Sequence, residues 1–117
     1  MPATAINSIG QYCEYANHIG YTDVRAHEIV RVISDSCVEV RRLKATPIHT
    51  PTFVAGGFAF HCTNIMDQQW SFDTDSSAER FRIRKSRARG KAGEWFDVHG
   101  RRYMLEQKPR EFYDYNF

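Results

Sequence analysis

No run of apolar residues in this sequence approaches the ~20 needed to cross a bilayer. Its opening, MPATAINSIGQYCEY, has neither a basic n-region nor a long apolar h-region. Both observations argue against membrane insertion and export. Cysteine is scarce: Cys13, Cys37 and Cys62 are widely spaced and odd in number. That pattern speaks against a disulfide framework and for a reduced compartment, so a cytoplasmic location is expected. No CxxC or HxxxH pair marks a zinc site, and no Walker loop, GxGxxG or GxSxG marks a nucleotide cradle or a hydrolase elbow. No stretch of helical length holds a 3.6-residue period, so helix is expected to be minor, and no internal repeat is present.

What remains is a chain of 117 residues, 42% apolar and 14% aromatic, enough to bury one core and too short to divide into two. One β-rich domain over residues 1–117 is expected, with residues 1–10 either an ordered lead-in or a loose arm. The net charge of +2 is nearly balanced, so the placement of charge matters more than its sum.

Period-two alternation supplies the strands. From Arg25 to Lys44, Val30 and Val32 alternate with charged or bulky neighbours, the turn Ser34-Asp35-Ser36 follows, and Val38 and Val40 alternate with Glu39 and Arg41. This reads as a β-hairpin. Two prolines and two threonines between Thr46 and Pro51 break the ladder. Phe58, Phe60 and Cys62 then share a strand face after Gly56-Gly57, which reads as a bulge or a close backbone approach. Trp70 and Phe72 share the next face. The polar loop Asp73–Glu79 is expected to return the chain as a second hairpin, whose strand Arg80-Phe81-Arg82-Ile83-Arg84 is apolar on one face and cationic on the other. A basic loop leads to Glu94–Val98 and to a strand from Arg101 to Leu105. Six or seven short strands predict an all-β fold, β-rich with minor helix at most: a small SH3-like antiparallel barrel, with an OB-like barrel as the neighbouring alternative.

The segments GYTDVRAHEIVRVISDSCVEVRRLKATPI, GGFAFHCTNIMDQQWSF, RFRIRKS and REFYDYNF resemble a family of small bacteriophage-encoded proteins with no assigned chemistry. The sharpest motifs are GGFxxHC with the following QxW, and the closing FYDYNF; the likeness runs from about Gly20 onward and is weakest over KSRARGKAGEWFDVHGRRYML. The resemblance implies a small non-catalytic protein of the host cytoplasm that binds host machinery, as an inhibitor of an antiviral defence or nucleic-acid-processing system, sequesters a ligand, or contacts nucleic acid.

Five features are candidate sites. Arg80, Arg82, Arg84, Lys85, Arg87, Arg89 and Lys91 lie together with no acid among them, and a row of arginines on one strand face can contact successive phosphates. The bland alternative pairs them with Asp73, Asp75, Glu79, Glu94 and Asp97. The aromatic tail Phe112, Tyr113, Tyr115 and Phe117 is either a partner anchor or a docked final strand. His61 and Cys62, with His27, His49, His99, Cys13 and Cys37 elsewhere, are possible metal ligands, but adjacent strand residues face opposite ways, and neither a metal nor any other cofactor is expected. His27, Glu28, His61 and Asp97 are the acid–base candidates; no motif ties them together and no enzyme is expected. Gly56-Gly57 with Phe58 and Phe60 could line a small-ligand pocket, so Trp70 and Arg82 stand as elements of a nucleotide-sequestering alternative. The expected partner is a host protein or nucleic acid and not a membrane, and the oligomeric state is left open.

Overall fold

The structure, a computed structural model, describes residues 3–7, 10–48, 53–56, 59–62, 66 and 68–115, with 53–56 and 59–62 described by their backbone. In chain order the strands are β1 (Ala5–Ile6), β2 (Tyr12–Cys13), β3 (Tyr15–Ile19), β4 (Val24–Arg25), β5 (His27–Ser34), β6 (Cys37–Pro47), β7 (Phe53–Gly56), β8 (Ala59–Cys62), β9 (Trp70–Thr74), β10 (Arg80–Lys85), β11 (Trp95–Phe96) and β12 (Arg102–Glu106). Among the described residues there is no α-helix, and none long and apolar enough to cross a membrane.

Six strands close on themselves in the order β6–β10–β11–β12–β3–β5–β6, with β9 added to β6 and β4 to β3. Closure removes the unpaired edges that a small antiparallel sheet would otherwise expose. The result is a small barrel of the SH3-like or OB-like kind, as the strand pattern predicts. Its interior is Ile29, Val38, Val40, Ile83, Trp95, Tyr103, Leu105 and Ala16. The β1–β2 arm is part of that core: Cys13 is fully buried, Ala3 and Ala5 pack on the cluster, and the Ala3 N–H donates to the Ile29 carbonyl at 3.3 Å.

The first hairpin forms where alternation places it, with two register shifts, at Val30 and at Ile33. Ile29 pairs with Val40 and Arg31 with Glu39, so Val30 is the extra residue of a β-bulge and Ile29, 1% exposed, takes the core position. The ladder also survives the first proline. Pro47, the last residue of β6, pairs with Trp70. Odd-numbered residues of β6 turn their N–H toward β5, as Leu43 does to the Ala26 carbonyl, and β5 has begun only at His27 opposite Arg42. The N–H that Pro47 lacks therefore has no strand to meet.

The second hairpin does not form. Both β9 and β10 run antiparallel to β6, β9 against Leu43–Pro47 and β10 against Cys37–Arg41, so they point the same way along one edge of a single long strand. The Asp73–Glu79 segment is a loop set into a continuing strand and does not reverse the chain. Of the expected Glu94–Val98 strand only Trp95–Phe96 pairs. Gly56 pairs with Ala59 at the end of the β7–β8 ladder, the last pair of that hairpin; Gly57 and Phe58 lie outside the described residues.

The chain after β12 docks on the barrel. Asn17 on β3 is fully buried; its amide donates to the Glu106 carboxylate and the Lys108 carbonyl and accepts from the Arg110 N–H, each at 3.0 Å. Glu111, its side chain 4% exposed, accepts from the Ala26 N–H at 2.9 Å and from Arg42 at 2.7 Å. Phe112 and Val24 exchange backbone hydrogen bonds. Further along, Asp23 accepts from the Asp114 N–H at 2.8 Å, so the tail is held by side-chain clamps and a single bridge, not by a full terminal strand.

Candidate functional site

Alternation on β10 sends Phe81 and Ile83 inward and Arg80, Arg82 and Arg84 outward, where all three are exposed. The row spans about 13 Å. Closure of the barrel sets strands on both sides of it. On one side Arg82 faces Glu39 and, beyond it, Arg31; on the other Arg84 faces Phe96 and then Arg102. Arg31 and Arg102 belong to this face and are far from it in sequence; their outward position in strand alternation is the signal that could have found them. Lys85 does not belong. It falls on the inward parity, with its ammonium 5.6 Å from the centre of the Trp95 ring.

Beyond β10 the basic loop is closed at its neck: Ser86 N–H donates to the Glu94 carbonyl at 2.7 Å and Gly93 N–H to the Ser86 carbonyl at 3.0 Å. Gly90 and Gly93, with φ of 80° and 86°, take left-handed backbone that other residues enter at a cost, and so allow the two turns between. Arg87, Arg89 and Lys91 are exposed on it, Lys91 lying 5.5 Å from the Phe96 ring centre.

Two acids neutralise part of this surface, and the others near it are engaged elsewhere. Glu39 shares its two oxygens between Arg80 at 3.7 Å and Arg31 at 3.6 Å. Glu94 pairs with Arg102 at 3.5 Å. Asp73 lies opposite Lys44. Asp75 accepts from the Ser77 hydroxyl and N–H, which holds its pKa below the usual value. Burial pushes the Asp97 pKa up, but hydrogen bonds from the Arg101 N–H, Tyr103 hydroxyl and His99 N–H outweigh it and leave it lowered. Among the described residues, Arg82, Arg84, Arg87 and Arg89 have no acid within ion-pair distance. Of the pairings weighed against the functional reading, none with Asp73, Asp75, Glu79 or Asp97 forms, and Glu94 is used by Arg102.

Trp70, Tyr113 and Tyr115 are gathered at the far end of β6. The Trp70 indole N–H donates to the Gln68 side chain at 3.1 Å, and Gln68 exchanges hydrogen bonds with the backbone of Tyr113. The Tyr113 and Tyr115 rings meet edge to face at 4.9 Å. Trp70, Phe72, Pro109 and Phe112 line a groove of about 360 Å³ here. A larger cleft of about 760 Å³ lies along β12, between the loop neck and residues 107–110. Phe117 lies outside the described residues.

The acid–base candidates are not brought together. His27 is inside the barrel, between the Phe81 and Tyr103 rings at 5.5 and 5.3 Å, and burial pushes its pKa down to about 4. Glu28 is on the opposite face of β5, paired with Arg41 at 2.7 Å. Cys13 and Cys37 are buried thiols, and burial raises the pKa of Cys13. No group of three His, Cys, Asp or Glu side chains suited to a metal ion occurs among the described residues. His61 and Cys62 are described by backbone only, and His49 and the Gly57-Phe58 part of the proposed glycine pocket lie outside the described residues.

No protein-family model, no curated protein and no solved structure matches this chain.

Proposed function

We propose that this chain is a non-catalytic binding protein of the bacteriophage kind, which engages an anionic host macromolecule, nucleic acid in the first place, through the outer face of β10 and the 86–94 loop. The observation that carries the reading is the set Arg82, Arg84, Arg87 and Arg89, without a carboxylate partner among the described residues, where Arg31, Arg41, Arg80, Arg102 and Arg110 each have one. Guanidinium groups left without partners on a rigid strand and a closed loop are ready for phosphate oxygens, because no internal ion pair must break first.

Phosphate binding releases condensed counterions. Four to six contacts would make log K fall with log salt at a slope of roughly −3.5 to −5.5 on duplex DNA. Fluorescence anisotropy with labelled DNA and RNA across a salt series tests this. Replacing Arg82, Arg84 and Arg87 by glutamine should reduce the magnitude of the slope by roughly 2 to 3. A flat salt response in the intact protein would remove nucleic acid as the ligand. Capture from nuclease-treated bacterial lysate of one stoichiometric acidic protein, lost in the same triple variant, would then assign the face to a host protein.

A further inference from the structure

The groove of about 360 Å³ beside Trp70 lies on the same face of the β6 ladder as the arginine row. Thr74, Phe72 and Trp70 pair with Leu43, Ala45 and Pro47, while Arg80, Arg82 and Arg84 pair with Arg41, Glu39 and Cys37. All six partners are odd-numbered residues of one uninterrupted strand, so their own side chains and those opposite them share one side. The contacts agree: the Glu28 carboxylate accepts from Arg41 and, at 3.2 Å, from the Thr74 hydroxyl. One surface about 33 Å long therefore runs from an aromatic groove to the arginine row, in which Arg82 and Arg84 have no acid within ion-pair distance among the described residues.

Resting on the anion-binding reading above, we infer that the Trp70–Phe72–Phe112 groove is a stacking subsite for an unpaired nucleobase, which makes single-stranded nucleic acid the ligand of this face. The volume suits one flat heteroaromatic ring system with its sugar. Its walls are half-buried aromatic rings and Pro109, and every base has a π-face to offer them. The polar groups at the rim are spoken for: Gln68 holds Trp70 and Tyr113, Arg110 holds Glu106 at 2.7 Å, and Glu111 holds Ala26 and Arg42. Rings without open hydrogen-bonding groups stack on bases but do not read their edges, so the subsite is tolerant of base identity. A duplex keeps its bases stacked on one another and can use only the arginines. The acidic side chains along this path are held by cations of the chain itself, Glu28 by Arg41 and Glu39 by Arg80 and Arg31, while Asp73 is of opposite parity and faces Lys44.

Trp95 is 5% exposed, so quenching of intrinsic fluorescence by an added strand reports on Trp70. A 15-nucleotide strand of thymine or adenine should quench it, and Trp70→Ala should weaken binding of that strand about 5- to 150-fold. The same variant should leave the salt slope and duplex affinity unchanged, while Trp70→Phe should keep most single-strand affinity. A strand made abasic throughout should bind the wild-type protein as weakly as the intact strand binds Trp70→Ala, a measurement that needs no variant to fold. Equal affinity for duplex and single strand, with no effect of abasic substitution, would overturn the subsite and leave salt-dependent anion binding standing. Absence of any salt-dependent binding would overturn both.

Discussion

Replacing Asn17 by aspartate is the most informative single-atom test of how the C-terminal segment is held. The side chain is fully buried, and its amide nitrogen donates to two acceptors, the Glu106 carboxylate and the Lys108 carbonyl, at 3.0 Å each. Aspartate keeps the oxygen that accepts from Arg110 but turns the other contacts into oxygen facing oxygen. Two lost hydrogen bonds cost about 2 kcal/mol, and an ionised carboxylate in that site adds several more unless it takes up a proton. Burial and the neighbouring Glu106 charge both disfavour ionisation, so the new carboxyl has a folded-state pKa above its unfolded value of about 3.9. For a group with a raised pKa, stability is fully present below the unfolded pKa and is lost as pH rises through the folded one, by about 1.4 kcal/mol for each pH unit between them. Asn17→Asp should therefore lose about 3–5 kcal/mol relative to wild type at pH 8 and clearly less at pH 5. Urea unfolding followed by the buried Trp95 at the two pH values measures both quantities. A variant within ~1 kcal/mol of wild type, with the same difference at both pH values, would refute the clamp.

His27 gives a pH dependence of the opposite sign: with a folded pKa pushed down to about 4, against an unfolded value of about 6.5, the wild-type protein should lose up to about 3 kcal/mol as pH falls through that window. His27→Phe should flatten that part of a stability–pH curve, leaving the smaller contribution of His18, whose pKa burial also lowers. Glu111→Gln retains an acceptor for the Ala26 N–H but not the charge facing Arg42, whose side chain is 31% exposed. A loss of about 2 kcal/mol, or a fall in Tm of roughly 8 °C by calorimetry, is expected, with faster proteolysis after residue 106. Gly93→Ala meets no steric neighbour but holds φ at 86°, so it should cost about 1 kcal/mol and lower anion affinity by loosening the loop neck; unchanged binding and stability would show that the neck does not position Arg87 and Arg89.

Strands with one wet face were legible in the sequence, and strands covered on both faces were not. β10 shows alternation because Ile83 is buried while Arg82 and Arg84 are exposed. β3 shows none: Ala16 faces the core, Asn17 faces the docked C-terminal segment, and both are fully buried. Alternation needs a contrast between faces, and a segment folded back from nearly ninety residues away removed it. The loop at Asp73–Glu79 misled for a related reason. Two short strands flanking a polar loop look like a hairpin, and only the 11-residue length of β6 allows both to lie end to end against one partner. That length was hidden by Pro47, which ends a ladder only where its missing N–H would have had a carbonyl to reach.

The arginine row was legible for the same reason β10 was, yet the sequence could not distinguish the neutralised face from the open one. Fourteen acids against sixteen bases would suffice to pair almost every cation if they were spread evenly. They are not. Glu28 and Glu39 lie over β5 and β6, Glu106 and Glu111 tie down the C-terminal segment, and Asp97 holds its own turn and Tyr103. Each of those carboxylates supports the fold, whereas the arginines beyond Arg80 on β10 and its loop support nothing inside the molecule. Side chains of that size cost entropy to fix and contribute little to stability when solvated. Replacing them should leave stability within about 0.5 kcal/mol of wild type while abolishing most of the salt-dependent affinity, a separation of fold from function that a structural role for the row could not produce.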